Sequence, residues 1–595
     1  MGFCSRLDLG PGSESVEASK SVAELSSYLL HDSVPVSEPN LNSKKHYRDQ
    51  VGESFYLTTA INYTNGAPHM GHAYEIVASD ILVRMARLFG LDARLQTGTD
   101  EHGQKISNIA EEQKITPKEL CDANVVQFKS MNDKLNIKAD RFIRTTDSDH
   151  YLSSQDMWRR CELNGDIYLG KYTGWYNVRE ENFVTELEAK LSDYKDPVSG
   201  VPLKKMEEPS YFFRISKYIG SIRNYILDHP EFVQPESSRE SILSKLEPLV
   251  SDSEDLSISR TTFSWGIPVP NDPDHVMYVW FDALTNYLTG LNWNGDDKSL
   301  YNKYWKNAVH IVGKDITWFH CVVWPAMLMS IGVDLPRTVF SHGFVTASDG
   351  KKMSKSLGNV VDPVEQLSEV GSDAFRYYLA KEGRFGNDIK YQFSSLVDYN
   401  NGELADSFGN LVSRITNLAT KHCDGVVPHP SKEVRFESLP VDMETNFQNY
   451  FDSWRSFRLD ECAQIPLNMS RSINKFLTEQ APWDSTNGKT REERIEGIRI
   501  VLEGVYCVAL LLSPFTTVSC DEVFRRLGTP PKTIPNTSTK YDNLKPGTPI
   551  CVGDPLFKRI SCKKSKTFEE LKAEKKERES KRISNSKRGQ KEPRE

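Results

Sequence analysis

The sequence lacks the features of a secreted protein, a membrane protein or a protein stabilised by a structural metal ion. Its ten cysteines are scattered along 595 residues without a CxxC pair, which argues against a zinc site and a disulfide framework and suits a reducing compartment. No apolar run approaches the length that spans a bilayer, so we expect no membrane partner. Because neither a secretory signal nor an acid-poor import presequence is present, we expect a cytoplasmic protein, and import into an organelle stays open.

The net charge of −8 is unevenly distributed. Residues 563–595 carry 13 Lys and Arg against 7 Asp and Glu, a net of +6, so the preceding part carries −14. An acidic body with a basic tail is not typical of a general nucleic-acid coat, but it permits a local basic face and a flexible basic arm. Whether the tail attracts a polyanion or only aids solubility stays open.

A chain of 595 residues is too long to fold around a single hydrophobic core, so we expect several domains. Changes in pattern along the chain predict their boundaries. Strand and helix patterns alternate, loosen in a stretch rich in Gly turns, alternate again and then become helical. The predicted domains are a flexible N-terminal extension at 1–50, a first α/β half at 51–165, an insertion at 166–274, a second α/β half at 275–385, a helical domain at 386–562 and a basic flexible tail at 563–595.

The alternating part predicts a parallel sheet covered by helices on both faces. A helix is predicted at 70–89, and the letters TPKE at 116–119 predict another helix start, with a capping Thr, Pro at the first position and Glu at the third. The predicted strands are 54–60, 94–97, 142–145, 276–281, 308–312 and 338–344.

Residues 68–72 read PHMGH, after a predicted strand and at the start of a predicted helix. An open α/β sheet binds nucleotides at this place, because the N–H groups and dipole of the helix start favour phosphate. His69 and His72 could donate to phosphate oxygens, and Gly71 would leave a flat backbone for an adenine. The pattern alone is weak, since two ordinary solvent-facing histidines would look the same.

Residues 352–356 read KMSKS and follow a turn at 349–351, which predicts a mobile cationic loop. A phosphoryl transition state spreads negative charge over its oxygens, and Lys352 and Lys355 could meet that charge as it develops. The alternative is a solvated lysine loop, but a chance match is on the order of one in several thousand. No GxxxxGK[ST] segment occurs, which excludes a P-loop.

HxGH after the first strand with KMSKS after the last resembles the paired signatures of class I aminoacyl-tRNA synthetases. The resemblance implies an α/β Rossmann-type catalytic domain, with its parallel sheet split by an insertion, followed by an all-α helical-bundle anticodon-binding domain. It implies that ATP, with Mg²⁺, activates an amino acid that is then transferred to the terminal ribose of a tRNA. The implied catalytic residues are His69, His72, Lys352 and Lys355, and the implied ATP-binding residues are Gly71, Gly313, Asp315 and Lys355.

Further stretches, between about residues 54 and 530, resemble the methionyl-tRNA synthetases specifically. They read TAINY at 59–63, GTDEHG at 98–103, YVWFDA at 278–283, GKDITWFH at 313–320 and APW at 481–483. The implied partners are L-methionine, ATP and tRNA(Met). Aromatic walls suit a thioether, although a packed core would show the same residues. The residues implied to bind methionine are Ala60, Ile61, Tyr63, Asp100, Trp280, Ala283, Tyr287, Ile316, Phe319 and His320, with Asp100 taking the ammonium.

Two features depart from many methionyl enzymes. The insertion at 166–274 contains no cysteine, where many relatives carry zinc ligands, so the resemblance is to a zinc-free branch and no metal site is expected. Residues 284–286 read LTN where some relatives have PIG, which leaves the pocket shape near Tyr287 open.

Three residues of the helical domain match the anticodon-reading positions of the family. Asn410 and Arg414 are four residues apart, hence on one helical face, and Trp483 follows a proline. Such residues read single-stranded bases by stacking and by hydrogen bonds to base edges. A polar helix face and a core tryptophan are the alternatives.

Other functions were weighed against this prediction. The synthetases for leucine, isoleucine and valine need an editing domain, for which 166–274 is short, and a cysteine enzyme would show metal-ligand cysteines. A catalytically dead paralogue that binds tRNA is opposed by the intact His and Lys motifs. A small adenylyltransferase is opposed by the long helical region. Multi-synthetase partners stay unknown.

Overall fold

A parallel sheet forms the centre of the first half of the chain in the computed structural model, which describes residues 45–178, 182–184, 186–196, 199–351, 353 and 359–561. Two units are distinguished, Met1–His46 and Tyr47–Glu595, and the description below concerns the second. The predicted extension and basic tail, and both lysines of the predicted cationic loop, lie outside the described residues.

Sixteen strands occur in the described part of the chain, half of them only two residues or so long. They are β1 Ser54–Thr59, β2 Asn62–Tyr63, β3 Asp92–Asp100, β4 Arg141–Arg144, β5 Ile167–Asn177, β6 Asn182–Val184, β7 Lys204–Phe213, β8 Val233–Gln234, β9 Leu256–Ser257, β10 Ser259–Arg260, β11 Pro268–Val269, β12 Asp272–Met277, β13 Ala308–Gly313, β14 Thr338–His342, β15 Val345–Thr346 and β16 Ile389–Lys390.

The α-helices of the described part fall into two groups, those around the sheet and those of the helical region. They are α1 Met70–Leu88, α2 Gln104–Gln113, α3 Pro117–Lys134, α4 Ser148–Leu163, α5 Glu186–Leu191, α6 Ile219–Asp228, α7 Glu236–Leu249, α8 Val279–Leu284, α9 Asn286–Thr289, α10 Ser299–Tyr304, α11 Trp324–Ser330, α12 Pro363–Val370, α13 Ser372–Glu382, α14 Phe393–Asp398, α15 Asn410–His422, α16 Met443–Arg455, α17 Leu459–Gln480, α18 Arg491–Leu512 and α19 Thr517–Arg526. No helix of the described part is long and apolar enough to span a membrane.

The central sheet has seven parallel strands, in the order β2-β3-β1-β13-β14-β8 with β4 also paired to β3. Leu57 of β1 lies opposite Leu95 of β3 and Val309 of β13, so β1 is an inner strand. The strand order reverses between β1 and β13, which creates a crevice at their carboxyl ends. The predicted fold class, a Rossmann-type sheet followed by a helical region, is confirmed.

The predicted helix start at Thr116 is also confirmed. Its Oγ1 accepts from the main-chain N–H of Glu119 at 3.2 Å, and the carboxylate of Glu119 accepts from the main-chain N–H of Thr116 at 2.8 Å. This reciprocal pair satisfies two N–H groups that the first helical turn cannot pair internally, so α3 begins at Pro117.

The predicted strand at 276–281 is wrong over its second half. Strand β12 ends at Met277 and α8 begins at Val279, while Tyr278 has extended dihedrals and serves as the helix cap. Moreover, β12 belongs to a three-stranded antiparallel sheet with β10 and β11 and not to the parallel sheet. A short apolar run does not distinguish a buried strand from a buried helix, which explains the error.

The region predicted as an insertion builds an antiparallel sheet in the order β6-β5-β7-β9. Strand β8 of the same region is not part of that sheet. It pairs in parallel with β14 of the central sheet, with Val233 opposite Val339. The region is therefore joined to the central sheet by main-chain hydrogen bonds as well as by its two ends.

A buried arginine ties the sheet to the helical region. Arg376 of α13 donates to the carboxylate of Asp80 in α1 at 2.6 Å and to the carbonyl of Pro514, after α18, at 2.7 Å. It also donates to the carbonyls of Leu135 and Phe515 at 3.0 and 3.3 Å. Both charged side chains are essentially inaccessible to solvent, and the carboxylate of Asp80 also accepts from Nε of Arg84 at 2.7 Å.

Asp80→Asn should lower the free energy of unfolding by roughly 3 kcal/mol or more, because it leaves the buried guanidinium of Arg376 without a counter-charge. Urea unfolding measures the loss. Glu479→Gln, which removes the exposed pair with Lys475, should change it by less than about 1 kcal/mol. Equal losses in the two variants would contradict this account of the buried pair.

Candidate active site

The crevice between β1 and β13 collects most of the residues predicted for chemistry. The main-chain N–H of Ala60, just after β1, donates to the carbonyl of Ile311 in β13 at 3.1 Å. The N–H of Lys314, just after β13, donates to the carbonyl of His342 at the end of β14 at 3.0 Å. Three strand ends thus lie side by side, and Ile61 follows directly at the crevice.

Helix α1 starts at this crevice and is capped by its two histidines. Nδ1 of His69 accepts from the N–H of Gly71 at 3.1 Å, and Nδ1 of His72 accepts from the N–H of His69 at 3.2 Å. The rings stack at 3.6 Å, and a Cβ on Gly71 would lie 2.9 Å from the His69 ring. With each Nδ1 acting as acceptor, the neutral rings carry their proton on Nε2, a donor suited to phosphate. Burial, together with the nearby His69 and His342, holds the pKa of His72 well below its usual value.

A buried ion pair beneath this helix start was not predicted from the sequence. His342 donates from Nε2 to the carboxylate of Glu75 at 2.8 Å and from Nδ1 to the carbonyl of Gly343 at 2.8 Å. Burial opposes the charged imidazolium, but the hydrogen bond and charge of Glu75 outweigh it and raise the pKa of His342. The sequence offered one signal for this pair, which is the position of Glu75 in the apolar stretch of α1, one turn after His72.

The predicted ATP-ribose residues follow β13. A Cβ on Gly313 would lie 2.7 Å from the carboxylate of Asp315, so only glycine permits this side-chain position. Asp315 is exposed, whereas Gly313 is buried at the end of its strand. The two predicted residues therefore lie together, a short way from the start of α1.

An aromatic pocket lies on the other side of β13. The rings of Trp280 and Phe319 stack at 3.9 Å with an interplanar angle of 5°, and His320 meets Trp280 edge-on at 6.1 Å. Nδ1 of His320 donates to the carbonyl of Ile316 at 3.0 Å, so its Nε2 accepts the 2.7 Å bond from the hydroxyl of Tyr287. Burial lowers the pKa of His320 to about 4, and the ring is neutral at pH 7. Ala283, buried in α8, completes this predicted group.

Polar side chains that the sequence did not reveal support this pocket. The ring of His310 in β13 stacks on that of Tyr287 at 4.1 Å, and its Nδ1 is 2.7 Å from the hydroxyl of Thr58. The hydroxyl of Tyr56 donates to the side chain of Gln96 at 2.7 Å and to the carbonyl of Tyr287 at 3.2 Å. Tyr287 is therefore fixed at its ring, its hydroxyl and its main chain.

The polar end of the pocket is formed by residues 100–103. Asp100 is buried at the end of β3, and the hydroxyl of Tyr63 donates to the carbonyl of His102 at 2.9 Å. The imidazole Nδ1 of His102 and Nε2 of His150 lie 2.6 and 2.7 Å from the two carboxylate oxygens of Asp282. Burial opposes ionisation of Asp282, but the two histidines outweigh it and lower its pKa. Neither histidine was predicted, although His102 directly follows the DE pair.

The predicted anticodon residues lie in the helical region. Asn410 is exposed at the start of α15, after a wide π-helical turn at Tyr399–Gly409, and Arg414 is one turn further on. The guanidinium of Arg414 lies 5.5 Å from the ring centre of Trp483, whose side chain is 44% exposed. Arg414 also donates to the side-chain oxygen of Asn474 at 3.4 Å, and Asn474 donates to the carbonyl of Ser407 at 3.1 Å. The structure thus brings Arg414 and Trp483 together on the surface.

Comparison with known proteins decides the family. A family model described as tRNA synthetases class I (M) matches residues 55–416, more than half of the chain. The chain belongs to the class I methionyl-tRNA synthetases. The family predicted from the sequence is confirmed, and the chain is accordingly an aminoacyl-tRNA synthetase of the methionine–tRNA ligase type. A second model, for the anticodon binding domain of methionyl tRNA ligase, matches residues 430–577.

Individual methionyl-tRNA synthetases match along most of the chain. The methionine–tRNA ligase of Mycobacterium leprae is 40% identical over 537 residues, which cover 88% of this chain and 98% of that protein. The enzyme of Thermotoga maritima is 40% identical over 513 residues, covering 86% and 81%. A solved structure of Mycobacterium tuberculosis methionyl-tRNA synthetase in complex with methionyl-adenylate matches with a TM-score of 0.79 at 38% identity, covering 85% of this chain and all of that one.

Among the residues that the structure describes, no three or more His, Cys, Asp and Glu side chains are grouped so that they could hold an ion.

His320→Gln should make the free energy of unfolding less sensitive to pH. The pKa of His320 is about 4 in the folded protein against an ordinary 6.5, so acidification from pH 7 to pH 5 protonates it only in the unfolded chain. Stability contributed by the neutral ring is therefore lost as pH falls through this window, at a cost of about 2 kcal/mol that glutamine removes. Urea unfolding at both pH values, with exposed His429→Gln as the control, measures the difference. Equal pH sensitivity of wild type and His320→Gln would show that His320 titrates normally.

Proposed function

We propose that the crevice between β1 and β13 activates L-methionine with ATP and transfers it to the terminal ribose of tRNA(Met). The observation that carries the proposal is that two sets of residues lie at the same edge of the central sheet. A helix start capped by two neutral histidines lies on one side, and an aromatic pocket with a buried carboxylate lies on the other. The first suits a polyphosphate and the second suits an amino acid with an apolar side chain.

In the first step, the carboxylate of methionine attacks the α-phosphorus of ATP and pyrophosphate leaves. His69 and His72 donate from Nε2 to phosphate oxygens, and Gly71 and Gly313 leave room for the nucleotide, whose ribose binds to Asp315. Lys352 and Lys355, with the Mg²⁺ that accompanies ATP, compensate the charge that develops on the phosphates. Because both reactants are held in place, the reaction needs no protein nucleophile.

In the same proposal, methionine is selected by the shape and by the charge state of the pocket. Trp280 and Phe319 present a flat wall to the polarisable thioether, alongside Ala283 and Ile316. Neutral His320 accepts a hydrogen bond from the Tyr287 hydroxyl, so neither ring brings a charge to the apolar end. The buried carboxylate of Asp100 offers the counter-charge for the substrate ammonium, near Ala60, Ile61 and Tyr63.

The remaining assignments rest on the same proposal. The helical region at 386–562 reads the anticodon through Asn410, Arg414 and Trp483, and the α/β halves at 51–165 and 275–385 form the catalytic domain around the 166–274 insertion. The same proposal assigns no structural zinc to that insertion, which contains no cysteine and in which Trp175 of β5 packs on Tyr194 with ring centroids 4.5 Å apart. The enzyme works in the cytoplasm.

Purified protein should exchange radiolabelled pyrophosphate into ATP with methionine and not with the other nineteen amino acids. The reason is that adenylate formation is reversible and only methionine fills the aromatic pocket. Asp100→Asn, which removes the ammonium partner, should raise the KM for methionine strongly while leaving that for ATP near wild type. Exchange with a different amino acid alone would overturn the methionine assignment and leave the fold intact.

Trp483→Ala should reduce charging of a CAU-anticodon tRNA by roughly one to two powers of ten, since a base stacked on an indole contributes about 1–3 kcal/mol. Trp483→Phe keeps a stacking ring and should retain most of the activity. Methionine-dependent pyrophosphate exchange, which needs no tRNA, should stay near wild type in both. A parallel fall in exchange and in melting temperature would mean that Trp483 serves the fold and not the tRNA.

A further inference from the structure

Residues 100–103 connect β3 to α2 and carry the carboxylate proposed to bind the substrate ammonium. The inner side of this loop is fixed by the buried side chain of Glu101. Its carboxylate accepts from Nε of Arg144 at 2.6 Å and from the hydroxyls of Thr99 and Thr146, each at 2.7 Å. These bonds hold the loop to the sheet but leave its outer side to another part of the chain.

The outer side is held by Trp265, which lies between β10 and β11. Its indole N–H donates to the carbonyl of Glu101 at 2.5 Å, and its own carbonyl accepts from the N–H of Gly103 at 3.3 Å. Its ring meets the ring of His102 edge-on at 5.5 Å. Two hydrogen bonds of opposite direction and a ring contact thus attach three consecutive loop residues to one tryptophan.

The loop that Trp265 holds connects both ends of the methionine pocket. The imidazole of His102 is 2.6 Å from the carboxylate of Asp282, which lies in α8 with Trp280 and Ala283. The carbonyl of His102 accepts from the hydroxyl of Tyr63. A shift of the loop would therefore move the ammonium end of the pocket relative to its thioether end.

Trp265 also connects the inserted region to the 100–103 loop, because it belongs to that region. The indole is half-buried and packs, with Tyr63 and Ile109, against a small apolar cluster that contains Ile106 and Ala110. The cluster is much smaller than the two large cores, so hydrogen bonds and ring contacts, and not a large core, position this part of the loop.

We propose that Trp265 is a positioning residue for methionine, acting through the loop that carries Asp100. The inference rests on the proposed function and adds a residue outside the methionine-binding set. Among the described residues, Trp265 contacts the 100–103 loop and the small apolar cluster, and none of these residues is assigned to the nucleotide. Its loss should weaken methionine binding and leave ATP binding unchanged.

Trp265→Phe tests the proposal, because phenylalanine keeps the ring against His102 and removes the indole N–H. The loss of one such hydrogen bond corresponds to roughly a three- to tenfold change in an equilibrium constant. In methionine-dependent pyrophosphate exchange we expect the KM for methionine to rise by about that factor, with the KM for ATP within about twofold of wild type.

Trp454→Phe is the matched control. Its indole N–H also donates to a main-chain carbonyl, that of Leu82, at 3.1 Å, but on the side of α1 that faces the helical region. The variant should leave both KM values unchanged even if it melts earlier. If Trp265→Phe melts early, the rise in melting temperature on adding methionine is a second measurement, made for this variant and for Trp265→Leu. We expect a smaller rise than in wild type for both variants.

A double-variant experiment separates this inference from the proposed function. In an Asp100→Asn background, Trp265→Phe should change the KM for methionine by less than about twofold, because its effect runs through Asp100. An unchanged KM in the single variant, an equal rise for ATP, or full additivity with Asp100→Asn would each overturn the positioning role. A wild-type protein without methionine-dependent exchange, or a silent Asp100→Asn, would instead refute the proposed function.

Discussion

The parallel pairing of β1 with β13 is the constraint on which the site depends. The two strands are far apart in sequence, yet Tyr56 to Thr59 lie in register with Ala308 to Ile311. Since parallel strands end at the same edge, the chain leaves both strands at one crevice, where the turn at Gly313 lies beside His342, the partner of Glu75 in α1. No local interaction could bring these segments together, so the sheet positions the chemistry.

Around that crevice, buried polar groups are arranged in pairs and chains. Asp282 lies between two histidines, Glu75 accepts from His342, and His320 accepts from Tyr287. Buried polar atoms are costly when left without partners, so each of these bonds restricts its neighbours to one arrangement. Such groups add little to net stability, but they fix the rotamers and charge states that a selective pocket needs.

Sequence patterns predicted the elements whose causes are local. The helix start at Thr116 depends on a side chain three residues away, and the strands before His69 and Gly313 are apolar runs bounded by turns. The paired motifs also predicted the family, and His69 and His72 of the first motif lie at the helix start, while the roles of the site residues stay predictions. The lysines of the KMSKS segment stay predictions, because they lie outside the described residues.

What escaped prediction depends on long-range contacts. The run at 276–281 was apolar enough for either a strand or a helix, and only the tertiary position of Trp280 and Asp282 decides for α8. The partners Glu75 and His342, or Trp265 and Glu101, are separated by more than 150 residues, and no periodicity links them. The sequence indicated such pairs only through polar residues within apolar segments, and this signal does not identify which residue the polar side chain contacts.

Strand β8 gives the inserted region a role in solubility. Its two residues cover the outer edge of β14, where main-chain groups of Val339 and Phe340 would otherwise face solvent. Without β8, the longer strand β14 would be the edge of the sheet, and its unpaired main-chain groups could pair with another chain. A two-residue edge strand such as β8 offers few such groups. A shortened chain without β8 would therefore expose this edge of β14, and we expect it to self-associate at high concentration.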